Sequence, residues 1–131
     1  MRLLFTVVCL FIASGSWSAQ AHHAFFAEFD PTRPIIISGT VTKVEWLNPH
    51  ARFYVAVEER GKVSSWEMEL LSPNGLIRQG WNRTYLKAGD MVTVHGFRAK
   101  DGTHLGAART INFSDGRSLI VGTAGDGGPE K

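Results

Sequence analysis

The residues best suited to chemistry in this chain are its five histidines, at positions 22, 23, 50, 95 and 104. The first two follow the small residue Ala21, and a chain cut after Ala21 would begin with His22. The free amine and the imidazole Nδ1 of an N-terminal histidine can chelate one metal ion, and a second histidine would complete a nitrogen donor set that suits Cu(II). The spacing therefore predicts a copper site led by His22, with His23 as a candidate further ligand.

The start of the chain predicts that cut. Arg2 is followed by an almost unbroken apolar run over residues 3–13, and residues 19–21 read Ala-Gln-Ala. A short positive region, an apolar run too short to span a bilayer and small residues before the cut are typical of a secretory signal peptide. We therefore expect residues 1–21 to be removed, leaving a periplasmic or secreted protein without a membrane span.

Other interpretations of the histidines remain open. A cut after Ala19 would leave Gln20-Ala21-His22, an N-terminal tripeptide that also binds copper or nickel, but it places Trp17 where a small residue is preferred. His22 and His23 would alternatively be a solvated chain end, with His50 capping the turn after Pro49. A third interpretation is a site for a small ligand other than a metal ion.

Length, charge and cysteine content limit the class of protein. The chain has 131 residues and a formal net charge of +2 at pH 7, and its single cysteine, Cys9, lies in the expected leader. This length supports one domain, which must be held by its hydrophobic core without disulfides. Because the charge is near neutral and basic residues are not clustered, we expect no nucleic acid partner and no anionic membrane surface. We also expect a monomer.

Alternating apolar residues predict strands through the remainder of the chain. The first strand begins near Ile35, has Gly39 in its middle where a bulge or sharp coil is expected, and ends at a corner formed by Asn48, Pro49 and His50. Later strands are predicted at residues 51–58, 63–70, 91–97, 107–113 and 118–121. A short helix follows the N-cap Ser72, with Leu76 and Ile77 as its buried face.

The resulting order is β-β-β-α-β-β, an all-β fold with one short helix. A long curled first strand shared by two sheets predicts a small five- to six-stranded barrel of the oligonucleotide/oligosaccharide-binding (OB) kind. Residues 22–34 form a mostly irregular N-terminal arm, residues 35–121 the OB-like barrel, and the Gly-rich residues 122–131 a disordered tail. An eight-stranded sandwich or barrel would need more strands than this chain supplies.

This fold suggests how distant histidines could meet. In an OB barrel, the loop after the first strand and the loop between the fourth and fifth strands lie on the binding rim. His50 lies on the first of these loops and His104 on the second, so we expect both to join the histidine-led arm at one metal site. Asn48, at the same corner, and the outward-facing Tyr54 are candidate ligand-binding residues. His95 is expected on the outer surface, away from the site.

Little in the sequence indicates catalysis. Glu67 and Glu69 share one face of a predicted strand, and we interpret them as a solvated pair, since catalytic carboxylates normally lie on different elements in a cleft. The chain shows no Ser-His-Asp order, no nucleophilic cysteine after the leader and no phosphate-binding glycine loop. We therefore predict that the protein is not an enzyme.

Several short motifs recur in an order and spacing that resemble one family. They are Ala21-His22-His23-Ala24-Phe25, Glu28-Phe29-Asp30, Gly39-Thr40-Val41, Asn48-Pro49-His50, Ser72-Pro73-Asn74-Gly75-Leu76, Gly80-Trp81, Leu86-Lys87-Ala88-Gly89-Asp90 and Lys100-Asp101-Gly102. Together they resemble DUF6152, a family of small exported bacterial proteins of unknown function. The resemblance covers nearly all of the expected mature chain and implies an exported, OB-like single domain. It implies no activity.

The sequence therefore favours an exported, non-enzymatic binding module that acts through its rim loops, with copper as the candidate ligand. The alternative is a structural or interaction protein that docks on an envelope partner and has no metal site. Metal binding should require a free amine at His22, whereas docking should tolerate an extended N-terminus and depend on exposed aromatic residues such as Tyr54.

Overall fold

The computed structural model describes residues 25–121, and within this range it contains six strands and one short helix. In chain order these are β1 (Phe29–Glu45), β2 (Arg52–Glu59), β3 (Lys62–Glu69), α1 (Pro73–Arg78), β4 (Met91–Ala99), β5 (Leu105–Phe113) and β6 (Ser118–Ile120). A helical turn at residues 25–28 precedes β1. The predicted leader, residues 1–21, and the predicted tail, residues 122–131, lie outside the described residues.

The strands form one mostly antiparallel sheet in the order β3-β2-β1-β4-β5-β6, and an additional parallel pairing joins β3 to β5. This pairing closes β1 to β5 into a ring and leaves β6 outside it. The predicted all-β, OB-like barrel with the order β-β-β-α-β-β is therefore confirmed.

The long strand β1 contributes to both halves of the barrel. Its first part pairs with β4 as far as Thr40, and its last part, from Thr40 to Glu45, pairs with β2. The register to β2 shifts between Val41 and Lys43, which agrees with the bulge expected in the middle of this strand. Gly39 permits the close approach of the strands, because a Cβ there would lie 2.1 Å from the carbonyl oxygen of Ala56.

The core lies inside the ring and follows the predicted alternation. Phe53, Val55 and Val57 of β2 are buried, as are Trp66 and Met68 of β3. Each such side chain removed from water contributes on the order of 1.5–3 kcal/mol before the cost of ordering it. Burial on this scale is what holds together a domain of this size without disulfides.

Helix α1 packs on the barrel core through Leu76. Its N-cap is Ser72, whose Oγ accepts a hydrogen bond from Gly75 N at 3.1 Å, as predicted. Leu76 is fully buried, but Ile77 is 53% exposed, so the prediction that Ile77 belongs to the buried face was wrong. Adjacent positions of a helix point about 100° apart, so the face that buries Leu76 does not include Ile77. No helix in the described range is long and apolar enough to span a membrane.

Strand β1 begins at Phe29, so the predicted start near Ile35 is too late, and the stretch expected to be irregular contains a helical turn and the first part of a strand. Phe29 is buried and lies opposite Ala99, and the pairing with β4 resumes at Pro34 after a register shift. Pro31 lies in the part of β1 where the pairing with β4 is interrupted, between Phe29 and Pro34. Proline is tolerated in a strand where the ladder is interrupted, because its missing N–H is then not needed.

The approach of β1 to β2 predicts the effect of enlarging Gly39. We expect Gly39→Ala to lower the free energy of unfolding by about 3 kcal/mol, because the added methyl group forces the strands apart. Thr40→Ala, at the next and exposed position, is the matched control and should cost less than about 1 kcal/mol. Urea denaturation followed by circular dichroism measures both, and equal losses would contradict this account of Gly39.

Candidate functional site

A cavity of about 180 Å³ opens where β5 changes its partner. On one edge, β5 pairs with β3 over Leu105–Ala107 and then with β6 over Thr110–Asn112. The cavity lies at this change of partner. It is lined by Phe25, Glu28, Phe29, His50, Glu69, Leu70, Leu71, Ala107, Arg109 and Val121. Its walls are thus mostly apolar, with four ionisable side chains among them.

The corner before β2 places His50 at this cavity. A cis peptide bond joins Asn48 to Pro49, and Ala51 then ties the corner to the end of β3. Ala51 N donates to Leu71 O, and Leu70 N donates to Ala51 O, both at 2.9 Å. Because Ala51 is held on both sides, the preceding His50 has a defined position beside Glu69.

His50 and Glu69 form the central polar contact of the site. Nδ1 of His50 lies 2.7 Å from Oε1 of Glu69, and the two side chains are 44% and 11% exposed. The hydrogen bond to this carboxylate raises the pKa of His50, although burial opposes the rise. The interpretation of Glu69 as part of a solvated pair was therefore wrong, because its carboxylate is largely covered and bonded to a histidine.

The ion pair between Arg52 and Glu67 explains why His50 is the partner of Glu69. Arg52 lies opposite Glu69 in the β2–β3 register. Its guanidinium nevertheless reaches diagonally to Glu67, with Nη1 2.7 Å from Oε1. Each carboxylate of this strand face thus has its own basic partner, which reduces the repulsion between them.

Glu28 is the second carboxyl group that lines the cavity, beside Glu69. Partial burial, followed by repulsion from Glu69, raises the pKa of Glu28. Arg52 and His50 partly offset this rise. Glu28 and Glu69 form an acidic part of the lining, here called the acidic entrance, and Arg109 is the cation of the same lining. A cationic ligand between the two carboxyl groups would relieve their repulsion.

The N-terminal turn is fixed to the barrel next to this entrance. The guanidinium carbon of the buried Arg109 lies 4.7 Å from the ring centre of Phe25 and 5.5 Å from that of Phe97. The rings of Phe25 and Phe29 are 5.4 Å apart, and Lys100 N donates to Glu28 O at 2.9 Å. Cation–π and aromatic contacts of this kind fix where the chain enters the domain.

The structure separates the predicted site residues. His50 lies at the cavity, and Asn48 is exposed at the same corner. Tyr54 lies on the outer face, where its hydroxyl donates to Glu45 at 3.3 Å. His104 lines a different depression, so the prediction that it shares a rim site with His50 has no support in the geometry. His22 and His23 lie outside the described residues.

Sequence reasoning missed Glu28, Glu69 and Arg109 as parts of the site. For Glu69 a signal existed. The turn between β2 and β3 has two central residues, Arg60 and Gly61, both with positive φ. A two-residue hairpin fixes the register, which places the end of β3 beside the corner that carries His50. For Arg109 we find no such signal, since alternation in β5 does not show where its partner changes.

Comparison with known proteins gives a family. The model of a family of unknown function, DUF6152, matches residues 9–109. No curated protein matches the chain. Among solved structures, the chain is similar to the mitochondrial single-stranded DNA-binding protein Rim1 of S. cerevisiae, with 14% identity and a TM-score of 0.49. The match covers 62% of this chain and 92% of that one.

This similarity corrects one expectation. The near-neutral charge of the sequence led us to exclude a nucleic acid partner, yet the similar chain is named a single-stranded DNA-binding protein. The expectation was wrong as stated, because a near-neutral net charge does not by itself exclude a nucleic acid partner. At this identity and TM-score the similarity concerns the fold and transfers no ligand to the present protein.

The raised pKa of His50 predicts a pH-dependent stability. The folded state favours protonated His50, so this contribution is present below the unfolded pKa of about 6.5 and is lost as the pH rises through the higher folded value. Wild type should therefore exceed Glu69→Gln in stability by about 0.5 kcal/mol near pH 6, a modest value because the pair is partly exposed, and by less at higher pH.

Glu67→Gln is the matched control for this prediction. It makes the same change on the same strand face, but its partner Arg52 stays charged throughout this range. Urea denaturation at several pH values measures all three proteins. A stability difference between wild type and Glu69→Gln that does not change with pH would contradict the assignment.

Proposed function

We propose that this chain, which belongs to DUF6152, a family of unknown function, is an exported, non-enzymatic copper-binding module. Membership of this family supplies no activity, so the proposal rests on the residues of the cavity. The observation that carries this proposal is the contact of His50 Nδ1 with Glu69 Oε1 at 2.7 Å. This contact lies in a cavity that the N-terminal turn also lines.

The His50–Glu69 contact prepares a histidine for metal binding. Metal-bound histidines usually donate the other ring N–H to a carboxylate, which fixes the tautomer and makes the ligating nitrogen more basic. Glu69 is in position to accept from Nδ1, so Nε2 of His50 would carry the lone pair. The acidic entrance formed by Glu28 and Glu69 would further favour a cation.

The remaining donors would come from the histidine-led N-terminus. Within residues 25–121, no three His, Cys, Asp or Glu side chains are grouped as a metal site. In the sequence, His22 and His23 come three and two residues before Phe25. Since Phe25 and His50 line the same cavity, the amine and imidazole of His22, helped by His23, would complete a nitrogen donor set for Cu(II).

The proposed copper site requires the same cleavage that would export the protein. Cleavage near Ala21 would both direct the protein to the periplasm or the medium and create the free amine that the site requires. The protein would hold copper without converting it, which agrees with the lack of catalytic motifs in the sequence.

Copper binding to two preparations tests the proposal. One preparation begins at His22, and the other begins at the same residue with its amine acetylated. We expect tight Cu(II) binding by calorimetry in the first, and weaker binding with an altered electron paramagnetic resonance spectrum in the second, because acetylation removes the chelating amine.

Variants of the first preparation test the barrel ligand. His50→Ala should weaken copper binding at least about tenfold, as is typical when support for a metal site is lost. His95→Ala, on the β4 strand away from the cavity, should leave it unchanged. Weak and equal binding in both preparations would contradict the proposal. It would favour docking on an envelope partner, for which Tyr54 is the residue to change.

A further inference from the structure

A second cluster of side chains lies around His104, away from the cavity. The imidazole of His104 stacks on the indole of Trp66, with ring centres 4.7 Å apart and planes inclined by 16°. Trp66 is 8% exposed, whereas His104 is an exposed residue. One face of the imidazole therefore rests on the core, and the ring presents a flat surface to solvent.

The loop that carries His104 is held in place by several hydrogen bonds. His104 O accepts from Glu67 N of β3 at 2.9 Å. Arg98 Nη2 donates to Gly102 O at 2.6 Å, and its guanidinium carbon lies 5.4 Å from the ring centre of Trp66. A ring fixed in this way loses little conformational entropy when a ligand stacks on it, which favours binding.

Positive charge lies beside the stacked ring. A broad, open depression of about 730 Å³ is lined by Glu59, Arg60, Lys62, Ser64 and His104. Its two basic side chains outnumber its one acidic side chain, which favours an anionic group. The turn between β2 and β3 thus brings charge next to an aromatic surface.

The backbone of Arg60 is a further, independent observation. Its φ of 52° lies in the left-handed region, and Gly61 follows with φ of 76°. Such turns favour Asn, Asp or Gly at the first of these positions. An arginine there is uncommon, and unusual backbone of this kind is concentrated at ligand sites.

We infer that His104, Arg60 and Lys62 form a binding site for a planar ring that carries an anionic group, as in a nucleotide. The ring would stack on the outer face of His104, continuing the stack that begins at Trp66. The phosphate would lie against the Arg60–Lys62 turn. Aromatic stacking combined with nearby positive charge is how many proteins hold single nucleotide units without reading their sequence.

Two sources could supply this chemistry, namely a free nucleotide and a nucleotide unit of a single strand. The test uses adenosine 5′-monophosphate and a ten-residue oligodeoxyadenylate as probes, measured by calorimetry, with adenosine as the uncharged control. We expect the monophosphate to bind more tightly than adenosine. If the source is a single strand, the oligonucleotide binds more tightly still, and its affinity falls as salt is added.

Variants of His104 decide whether this site is responsible. His104→Ala should lower the affinity for both probes by roughly tenfold, because it removes the ring on which the base stacks. His104→Phe keeps an aromatic ring and should retain binding, and His95→Ala serves as the matched control. Absence of binding by both probes, or equal affinity of His104→Ala and wild type, would overturn the inference. This site does not depend on the copper proposal, because it shares no residue with the cavity.

Discussion

The parallel pairing of β3 with β5 is the contact on which the rest of this structure depends. It consists of three residue pairs, Glu67 with Leu105, Met68 with Gly106 and Glu69 with Ala107, and it turns an open sheet into a ring. Gly106 makes the close packing at this seam feasible, because a Cβ there would lie 2.7 Å from Ile35 Cδ1 and 3.0 Å from Met68 Cε. Where the seam ends, β6 takes over as the partner of β5, and the cavity opens between them.

Strand β3 also links the two candidate sites. Its last residue, Glu69, holds His50 at the cavity, while Trp66 supports the ring of His104. These two β3 residues are about 10 Å apart along the strand, and their side chains lie on opposite faces of it. One strand thus supplies a carboxylate to an acidic entrance and an aromatic surface beside basic side chains. The charges around the two sites differ, which is why we assign a cation to the first and an anion to the second.

Much of the fold could be predicted because it depends on local patterns. The alternation of Phe53, Val55 and Val57 indicated which face of β2 is buried, and Ser72 followed by proline indicated the start of α1. The start of β1 was missed because Pro31 and Pro34 lack the N–H that a strand ladder uses, which argues against a strand there. The pairing of Phe29 with Ala99 nevertheless extends β1 to this point, with the register to β4 interrupted between Phe29 and Pro34.

The candidate site was only partly predictable, because its residues come from separate elements. The sequence indicated His50, but its partner Glu69 looked like an ordinary outward-facing carboxylate until the hairpin register was considered. For a related reason, the geometry gives no support to the expected meeting of His50 and His104. Loop order alone places both on a rim, whereas the stacking of His104 on Trp66 directs it to a separate depression.

The most direct test of the copper site is to locate the metal by nuclear magnetic resonance. Cu(II) broadens the signals of nearby protons, so substoichiometric copper added to protein that begins at His22 reports which residues surround it. The account predicts broadening of the ring protons of His50 and the amide of Phe25, with the ring protons of His104 left sharp. Unchanged His50 signals, or broadening centred on His104, would contradict it.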